Sequence, residues 1–373
     1  MPAMAGGYDS NGPGPARRLL AAHRAATDFY RGHLLDEPRA TAYLDSRGIA
    51  PAVAVARPWT VGYAPRGWTG LRDHLRGIGF TDAELLAAGL ITTGPRRGPI
   101  DAFRDRVVFP IRDSDGYVVA FIGRDLSGRP GTPKYRNTAT TPIYRKSELL
   151  YGLAEQFGGG RRPDALLIVE GPADVVAVAG LSATGSVDAH RDPADRYCAV
   201  APCGTALTAA QVALLASAVE PGTPVVCAFD ADVAGAAATE QAYRLLRDWP
   251  GPVEAVVLPD GADPASVVAG GPAGALATLR RARVPLADLI LDRRLAPHLA
   301  RLEARLTELA RLGRDPSSES RQLGVDAVHA LAALLAEVAD AEPLHAAQLL
   351  ARMSVRLDLN PLTVFEAVYP PSP

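Results

Sequence analysis

Cysteine is scarce in this 373-residue sequence, which contains only Cys198, Cys203 and Cys227. Three cysteines cannot build a disulfide framework. Because all three lie in or beside apolar runs, we interpret them as buried thiols of a protein from a reducing compartment. The cysteines and the seven histidines show no spacing that suits zinc, so we predict no zinc site.

Long apolar segments are also missing from the sequence. No run of about 18 apolar residues occurs, so we predict no membrane-spanning helix. The first residues, MPAMAGGYDSNGPGP, lack the basic and then apolar pattern of a secretory signal. These two absences predict a cytoplasmic protein that does not contact a membrane.

Lysine is almost absent, since 39 Lys+Arg include only Lys134 and Lys146. Both lysines lie in a basic block, residues 96–146, where eleven Lys+Arg against five Asp+Glu leave a local charge of +6. Residues 164–263 have fourteen acids against four arginines, a local charge of −10. Adjacent blocks of opposite sign are typical of a protein that handles polyanions and binds cations; two solvated faces are the alternative.

The rest of the composition is that of a folded protein, with 48% hydrophobic and 21% charged residues. The length predicts two or three domains. We expect an α/β protein, α+β overall, that begins with a Gly/Pro-rich tail (1–14). An N-terminal α/β subdomain (15–157), a domain built on a parallel sheet (163–285) and a C-terminal helical subdomain (286–369) should follow.

The N-terminal subdomain combines helices with a hairpin. Helical spacing predicts helices within 16–46 and over 69–76 and 81–88, the last with Thr81 and Glu84 as a capping box. The apolar runs RVVFPIRD and GYVVAFIGRD, separated by Ser114-Asp115-Gly116, predict a β-hairpin. Residues 127–142, rich in Gly, Pro and Thr, are predicted to form a loop.

Residues 164–260 alternate between apolar strands and helices. The strands are expected at 165–169, 197–201, 224–229 and 253–258, and the helices at 172–180, 208–218 and 234–247. Continuously apolar strands separated by helices favour a four-stranded parallel sheet that is covered on both faces.

Acidic residues follow these strands. Glu170 follows the first strand, Asp174 lies in the first turn of the next helix, and Asp230 and Asp232 follow the strand PVVCAF. Asp263 follows the last strand. Open parallel sheets bind ligands at these carboxyl ends, and a cluster of oxygen ligands suits Mg²⁺ or Mn²⁺. In the alternative interpretation, each acid is only a helix cap or turn residue.

The segments IVEGPADVVAV and CAFDADVAGAAA resemble the TOPRIM domain, with its glutamate after one strand and D-x-D after another. Residues 204–208 and LPDGADP (258–264) are similar to the version found in bacterial DnaG-type primases. Residues 29–49, 61–68, 101–126 and 132–153 resemble, in the same order, the RNA-polymerase core of that family. The resemblance covers residues 16–285 and continues more weakly to about 368.

The resemblance implies metal-dependent, template-directed synthesis of short RNA primers on single-stranded DNA from ribonucleoside triphosphates. It implies that Glu170, Asp230 and Asp232 are catalytic. It implies metal binding by Glu170, Asp174, Asp230, Asp232 and Asp263, and nucleic-acid or nucleotide binding by Arg104, Arg106, Arg124, Lys134, Tyr135, Asn137 and Lys146.

Three departures from the family pattern are visible. Ligands for the family's N-terminal zinc ribbon are missing, the helicase-binding region is not found, and Ala265 stands where many members carry an acid. A replicative helicase or a separate zinc-bearing protein is therefore a possible partner. The alternative functions are a TOPRIM metal-dependent nuclease and a non-catalytic nucleic-acid-binding accessory of a mobile element.

Overall fold

The computed structural model describes residues 14–94, 98–157, 163–183, 197–204, 206–230, 232–259 and 261–370. The predicted tail, apart from Gly14, lies outside the described residues, as do Thr205 and Asp260 of the family motifs. The chain divides into two compact units, Met1–Arg283 and Val284–Pro373. The first unit contains 15–157 and all but the last two residues of 163–285, and the predicted separation of these two domains stays a prediction.

Helices open the first unit. They are α1 (Pro15–Gly32), α2 (Pro38–Ser46), α3 (Pro51–Val55), α4 (Gly70–Gly77) and α5 (Asp82–Ala87). A proline occupies the first turn of α1, α2 and α3, where its missing N–H costs no helical hydrogen bond. Thr81 and Glu84 form the predicted capping box of α5. The short helix α3 was not expected in this proline-rich connection.

Antiparallel strands follow these helices. They are β1 (Gly62–Ala64), β2 (Ile91–Gly94), β3 (Gly98–Asp101), β4 (Arg106–Arg112), β5 (Val118–Asp125) and β6 (Tyr135–Asn137). Within the described residues, β1-β4-β5-β6 form one sheet and β2-β3 a separate pair. The predicted hairpin is β4–β5, and Gly116 has a φ of +82° in its turn. Strand β6 corrects the prediction of a loop over 127–142, since its backbone pairs with β5.

A further sheet has six strands in the order β12-β11-β10-β8-β9-β7 among the described residues. The predicted parallel core is confirmed by the pairs β8–β9, β8–β10 and β10–β11, while the edge strand β7 is antiparallel to β9. The strands are β7 (Leu150–Tyr151), β8 (Ala165–Val169), β9 (Tyr197–Pro202), β10 (Val225–Ala228), β11 (Val253–Val256) and β12 (Arg283–Pro285).

Helices connect the strands of this six-stranded sheet. They are α6 (Leu153–Phe157), α7 (Pro172–Ala183), α8 (Ala209–Ala218), α9 (Val233–Leu246), α10 (Pro264–Ala269) and α11 (Pro272–Arg281). Every residue of β8, β9 and β10 is buried, which explains their unbroken apolar sequences. The mixed α/β fold class is thereby confirmed.

The four-stranded sheet and the six-stranded sheet share one hydrophobic core. Tyr151 on β7 packs edge-on against Phe109 on β4, with ring centroids 6.1 Å apart, and near Trp59 at 6.0 Å. The end of α2 also lies against α10. Gly48, just after α2, has a φ of +68°, and a Cβ added there would lie only 2.9 Å from the Ala269 nitrogen. Side chains from the N-terminal helices therefore reach the edge of the parallel sheet.

The second unit is helical over its described residues. Its helices are α12 (Leu286–Arg311), α13 (Ser317–Ala341), α14 (Pro343–Leu357) and α15 (Pro361–Val368). By length and apolar composition, α13 could cross a membrane, in contrast to the prediction from apolar run length. Within this unit α13 contacts α12, α14 and α15, and it buries Leu331, Leu334 and Leu335 among them. Its apolar side chains thus serve as the core of a helical unit.

Candidate catalytic site

Two predicted acids leave the parallel sheet side by side. Strands β8 and β10 are neighbours, with Val169 opposite Ala228, so Glu170 and Asp230 emerge at the same edge. The Asp230 backbone N–H donates a hydrogen bond to Glu170 Oε1 at 2.9 Å. Because a Cβ at Gly235 would lie 2.0 Å from the Asp230 carbonyl oxygen and 3.0 Å from Glu170 Oε1, glycine is required there. We name Glu170 and Asp230 the sheet-end pair.

Asp232 begins the helix that follows Asp230. Its Oδ1 accepts a hydrogen bond from the Gly235 backbone N–H at 2.8 Å, so it is the N-cap of α9. The side chain is exposed. Asp232 thus satisfies both interpretations of the sequence, as a helix cap and as an acid at the carboxyl end of β10.

The other two acids share an arginine. Asp174 Oδ1 lies 3.0 Å from Arg47 Nη2, and Asp263 Oδ2 lies 2.7 Å from Arg47 Nη1. Asp174 is in the first turn of α7 and is only 4% exposed, while Asp263 caps α10 through the Ser266 N–H. We name Asp174 and Asp263 the Arg47-bridged pair.

Burial and mutual repulsion act on the acids of the sheet-end pair. Burial raises the pKa of Glu170, and the charges of Asp230 and Asp232 raise it further. Burial also raises the pKa of Asp230, with a contribution from Asp263. The positive charge of Lys134 opposes both shifts, which places this lysine within electrostatic reach of the pair.

The pKa values of the two acids in the Arg47-bridged pair shift in opposite directions. Burial raises the pKa of Asp174 to about 7, although Arg47 acts in the opposite direction. Burial favours a raised pKa for Asp263 as well, but the hydrogen bonds from Arg47 and the Ser266 N–H outweigh it and lower that pKa. Arg47 therefore compensates the charge of the less buried acid more completely.

Asp230 Oδ1 is buried and has no hydrogen-bond partner among the described residues. A buried carboxylate oxygen without a donor is costly unless a cation binds it. The surrounding acids offer only oxygen ligands, which fits a hard divalent cation. Across the described parts of the chain, however, no three His, Cys, Asp or Glu side chains already form a metal-binding group. The acids share one sheet edge, but the predicted five-ligand cluster is not assembled as such.

The Arg124 guanidinium lies near two tyrosine rings, Tyr135 and Tyr43, the second of which the sequence analysis did not single out. The Arg124 guanidinium lies 5.4 Å from the ring centre of Tyr43 and 5.6 Å from that of Tyr135. A Cβ at Gly171 would lie 3.4 Å from the Tyr135 hydroxyl, so this tyrosine packs against the turn between β8 and α7. Tyr135 is half-buried and lies beside Arg124, and its predicted role in nucleic-acid or nucleotide binding stays a prediction.

The two arginines that flank Asp105 differ in exposure. The Arg104 guanidinium is half-buried and lies 4.6 Å from the ring centre of Trp68. Arg106 is only 5% exposed, and its guanidinium donates to the carbonyl oxygens of Gly123 at 2.9 Å and Pro133 at 3.1 Å. Arg106 therefore holds the segment that leads to Lys134, and its contacts leave little surface for a phosphate.

Asn137 and Lys146 lie against the loop that follows β9. The Asn137 side-chain amide donates to the Cys203 carbonyl oxygen at 2.6 Å. The exposed Lys146 side chain passes Gly204, where a Cβ would lie 3.9 Å from its Cδ. The side chains of these two predicted binding residues thus lie against the same loop.

Sequence reasoning missed Arg47 and Tyr43. Both lie in residues 29–49, which carried part of the family resemblance, but neither falls in the basic block 96–146. The sequence offered one signal for Arg47, namely a positively charged residue directly before Gly48, where the helix ends. Only the packing of α2 on α10 brings that cation to Asp263, more than 200 positions along the chain.

Known proteins resemble this chain over both parts of the first unit. Residues 29–157 match the family described as DNA primase catalytic core, N-terminal domain, and residues 167–268 match the family described as Toprim-like. The DNA primase of Streptomyces coelicolor is 36% identical over 294 residues, which cover 77% of this chain and 43% of that protein.

Solved structures match over most of their own length. The RNA polymerase domain of Mycobacterium tuberculosis primase DnaG is 34% identical with a TM-score of 0.63, covering 75% of this chain and 88% of that one. The chain belongs to the bacterial DnaG-type primase family. A DnaG primase catalytic domain solved with bound single-stranded DNA is 30% identical with a TM-score of 0.65, covering 92% of this chain and 97% of that one.

The primase resemblance inferred from the sequence is confirmed by these matches. The chain spans less than half the length of the curated primases it matches, 43% for the Streptomyces coelicolor protein. The family model that matches residues 29–157 and the solved structures named above are those of primase catalytic cores, and they do not favour the nuclease and accessory alternatives.

Proposed function

We propose that this chain synthesises short RNA primers on single-stranded DNA by metal-dependent, template-directed nucleotidyl transfer. The observation that carries the proposal is the sheet-end pair at the edge where parallel sheets bind ligands: Asp230 is hydrogen-bonded to Glu170 through its backbone N–H, and its Oδ1 is buried without a partner among the described residues. Membership of the DnaG-type primase family supports the same reaction.

Glu170, Asp230 and Asp232 would hold the divalent cations, Mg²⁺ or Mn²⁺, on this proposal, and Asp174 and Asp263 are the further predicted ligands. When bound, such cations lower the pKa of an attacking hydroxyl and neutralise phosphate charge. The 3′-hydroxyl oxygen of the growing RNA bonds to the α-phosphorus of a ribonucleoside triphosphate, and pyrophosphate leaves. The hydroxyl proton passes to Glu170 or to solvent.

Lys134 and Arg124 are the groups best placed to bind phosphates near the acids. Lys134 is exposed and its charge already acts on both members of the sheet-end pair. Arg124 is oriented between Tyr43 and Tyr135, so less side-chain freedom is lost when it binds an anion. We assign Arg104, Lys146 and Asn137 to the template or nucleotide path, with Arg106 and Tyr135 as supports.

Purified wild-type protein should convert ribonucleotides into short RNA on a single-stranded DNA template when Mg²⁺ or Mn²⁺ is present. Asp230→Asn should lose this activity with an unchanged circular dichroism spectrum. Asp28→Asn, an exposed acid on α1, is the matched control. The polymerase assignment is wrong if the wild type cannot extend even a pre-annealed RNA primer, and metal-dependent loss of DNA without ribonucleotides supports the nuclease.

The proposed activity also defines the partners. They are a single-stranded DNA template and ribonucleoside triphosphates, in the bacterial cytoplasm where replication takes place. A replicative helicase or a separate zinc-bearing protein stays a prediction. Mixing each candidate with the full chain and measuring the length and yield of the primers would test it.

A further inference from the structure

Arg47 occupies the space between two of the predicted metal ligands. Its Nη2 lies 3.0 Å from Asp174 Oδ1 and its Nη1 lies 2.7 Å from Asp263 Oδ2, so one guanidinium serves two carboxylates. The Arg47 side chain is 22% exposed, and those of Asp174 and Asp263 are 6% and 21% exposed. A divalent cation shared by these two acids would have to displace the guanidinium.

The backbone holds Arg47 in this position. Gly48, the next residue, has a φ of +68°, and a Cβ there would lie 2.9 Å from the Ala269 nitrogen on α10. The end of α2 is thus pressed against the helix that Asp263 caps. Arg47 therefore starts from a backbone position fixed by close packing, which reduces the entropy lost in holding both carboxylates.

Three of the four carboxylate oxygens of the Arg47-bridged pair have donors among the described residues. Asp174 Oδ1 accepts from Arg47 and, at 3.1 Å, from the Ala265 backbone N–H. Two donors match the two lone pairs of one carboxylate oxygen. Asp263 Oδ1 accepts from the Ser266 N–H at 2.8 Å, and its Oδ2 faces Arg47. Ala265 is buried and its methyl group supplies no further ligand.

The sheet-end pair presents the opposite situation. Asp230 Oδ1 is buried without a partner among the described residues, and the positive charges of Lys134 and Arg47 act on Asp230 without a hydrogen bond to that oxygen. We infer that Arg47 replaces a second divalent cation at Asp174 and Asp263, so that the chain binds its cation only at Glu170, Asp230 and Asp232. This inference rests on the proposed metal dependence of the chain and specifies its stoichiometry.

The test counts Mn²⁺ ions bound to the full chain, without DNA or nucleotide, from the free-ion signal in electron paramagnetic resonance. The wild type should bind one Mn²⁺, and Asp230→Asn should lose it. Asp174→Asn should keep one, because Asp174 is not a ligand. Arg47→Gln should gain a second ion that binds at least tenfold more tightly than any second ion in the wild type. Arg24→Gln, an exposed arginine on α1, should leave the count at one.

Two bound ions in the wild type, reduced to one by Asp174→Asn, would overturn the inference, as would a wild type that binds none. If Arg47→Gln does not fold, the wild type, Asp230→Asn and Asp174→Asn still decide the count. Primer synthesis by the same wild-type preparation separates the two claims. Two ions with normal primer synthesis would refute only the role of Arg47, whereas one ion without synthesis would refute only the proposed function.

Discussion

The sheet-end pair and the Arg47-bridged pair have the same chemistry but different neighbours. Each contains two carboxylates near the carboxyl ends of parallel strands. A backbone N–H and an exposed lysine act on Glu170 and Asp230, while a fixed guanidinium contacts both Asp174 and Asp263. The direct contact with a guanidinium, which only one of the two pairs has among the described residues, is the basis of our inference about which carboxylates bind the divalent cation.

The largest expected difference between the pairs is in catalysis. Asp230→Asn should reduce primer synthesis by about a thousandfold, in line with the effect of removing one group that stabilises charge in a transition state. Asp174→Asn should reduce primer synthesis by less than about tenfold, since Asp174 Oδ1 already accepts hydrogen bonds from two donors. Rates of RNA formation at saturating Mg²⁺ measure both. Equal losses in the two variants would erase the distinction between the pairs.

Removing the Arg47 guanidinium should lower the stability of the folded protein. Arg47→Gln leaves two half-buried or buried carboxylates without their counter-charge, so unfolding should become easier by about 3 kcal/mol in the absence of metal. Urea denaturation followed by circular dichroism gives this value, and Arg24→Gln should change it little. Saturating Mn²⁺ should restore part of the loss in Arg47→Gln. An unchanged urea midpoint would show that the bridge contributes nothing.

The two acids of the Arg47-bridged pair should also give opposite pH dependences. Burial raises the pKa of Asp174 to about 7. Stability from a raised pKa is complete below the unfolded value and is lost as pH rises through the folded one. The wild type should therefore lose about 2 kcal/mol between pH 5 and 7 through this group. The Arg47 hydrogen bond lowers the pKa of Asp263, so its contribution is instead lost as the solution becomes strongly acidic.

Asp174→Asn isolates the first of these pH effects. The difference in unfolding free energy between wild type and Asp174→Asn should shift in favour of the variant as pH rises from 5 to 7. Urea titrations at three pH values, without metal, measure it. A difference that stays constant over this range would mean that Asp174 is ionised throughout and that Arg47 fully compensates its burial.

The smallest expected effect concerns Lys134, whose charge acts on both acids of the sheet-end pair. Lys134→Met should weaken binding of single-stranded DNA by about 1 kcal/mol and reduce the slope of log Kd against log salt by about 0.7. Fluorescence anisotropy over a range of salt concentrations measures both quantities. The same experiment with Arg24→Gln is the charge-matched comparison. A slope that changes equally in both variants would count against a local role for Lys134.

Much of the fold could be predicted from the sequence. The buried strands β8, β9 and β10 are short apolar runs flanked by turn residues, and the capping box at Thr81 and Glu84 depends on residues three apart. Strand β6 was missed because Tyr135–Asn137 is short and lies among Gly, Pro and Thr residues; it becomes a strand through pairing with β5. The edge strands of the six-stranded sheet depend on partners in the same way.

The sequence by itself determined the order of strands and helices, the acids that follow the strands, and the family of the chain, since these depend on local spacing and on residue identity. Tertiary structure decided how each acid is used. It brought Arg47 to Asp174 and Asp263, buried Arg106 under the segment before Lys134, and left Asp230 Oδ1 without a donor from the part of the chain that the structure describes. Electrostatic interactions depend on distance and burial in space, and neither quantity follows from separation along the chain.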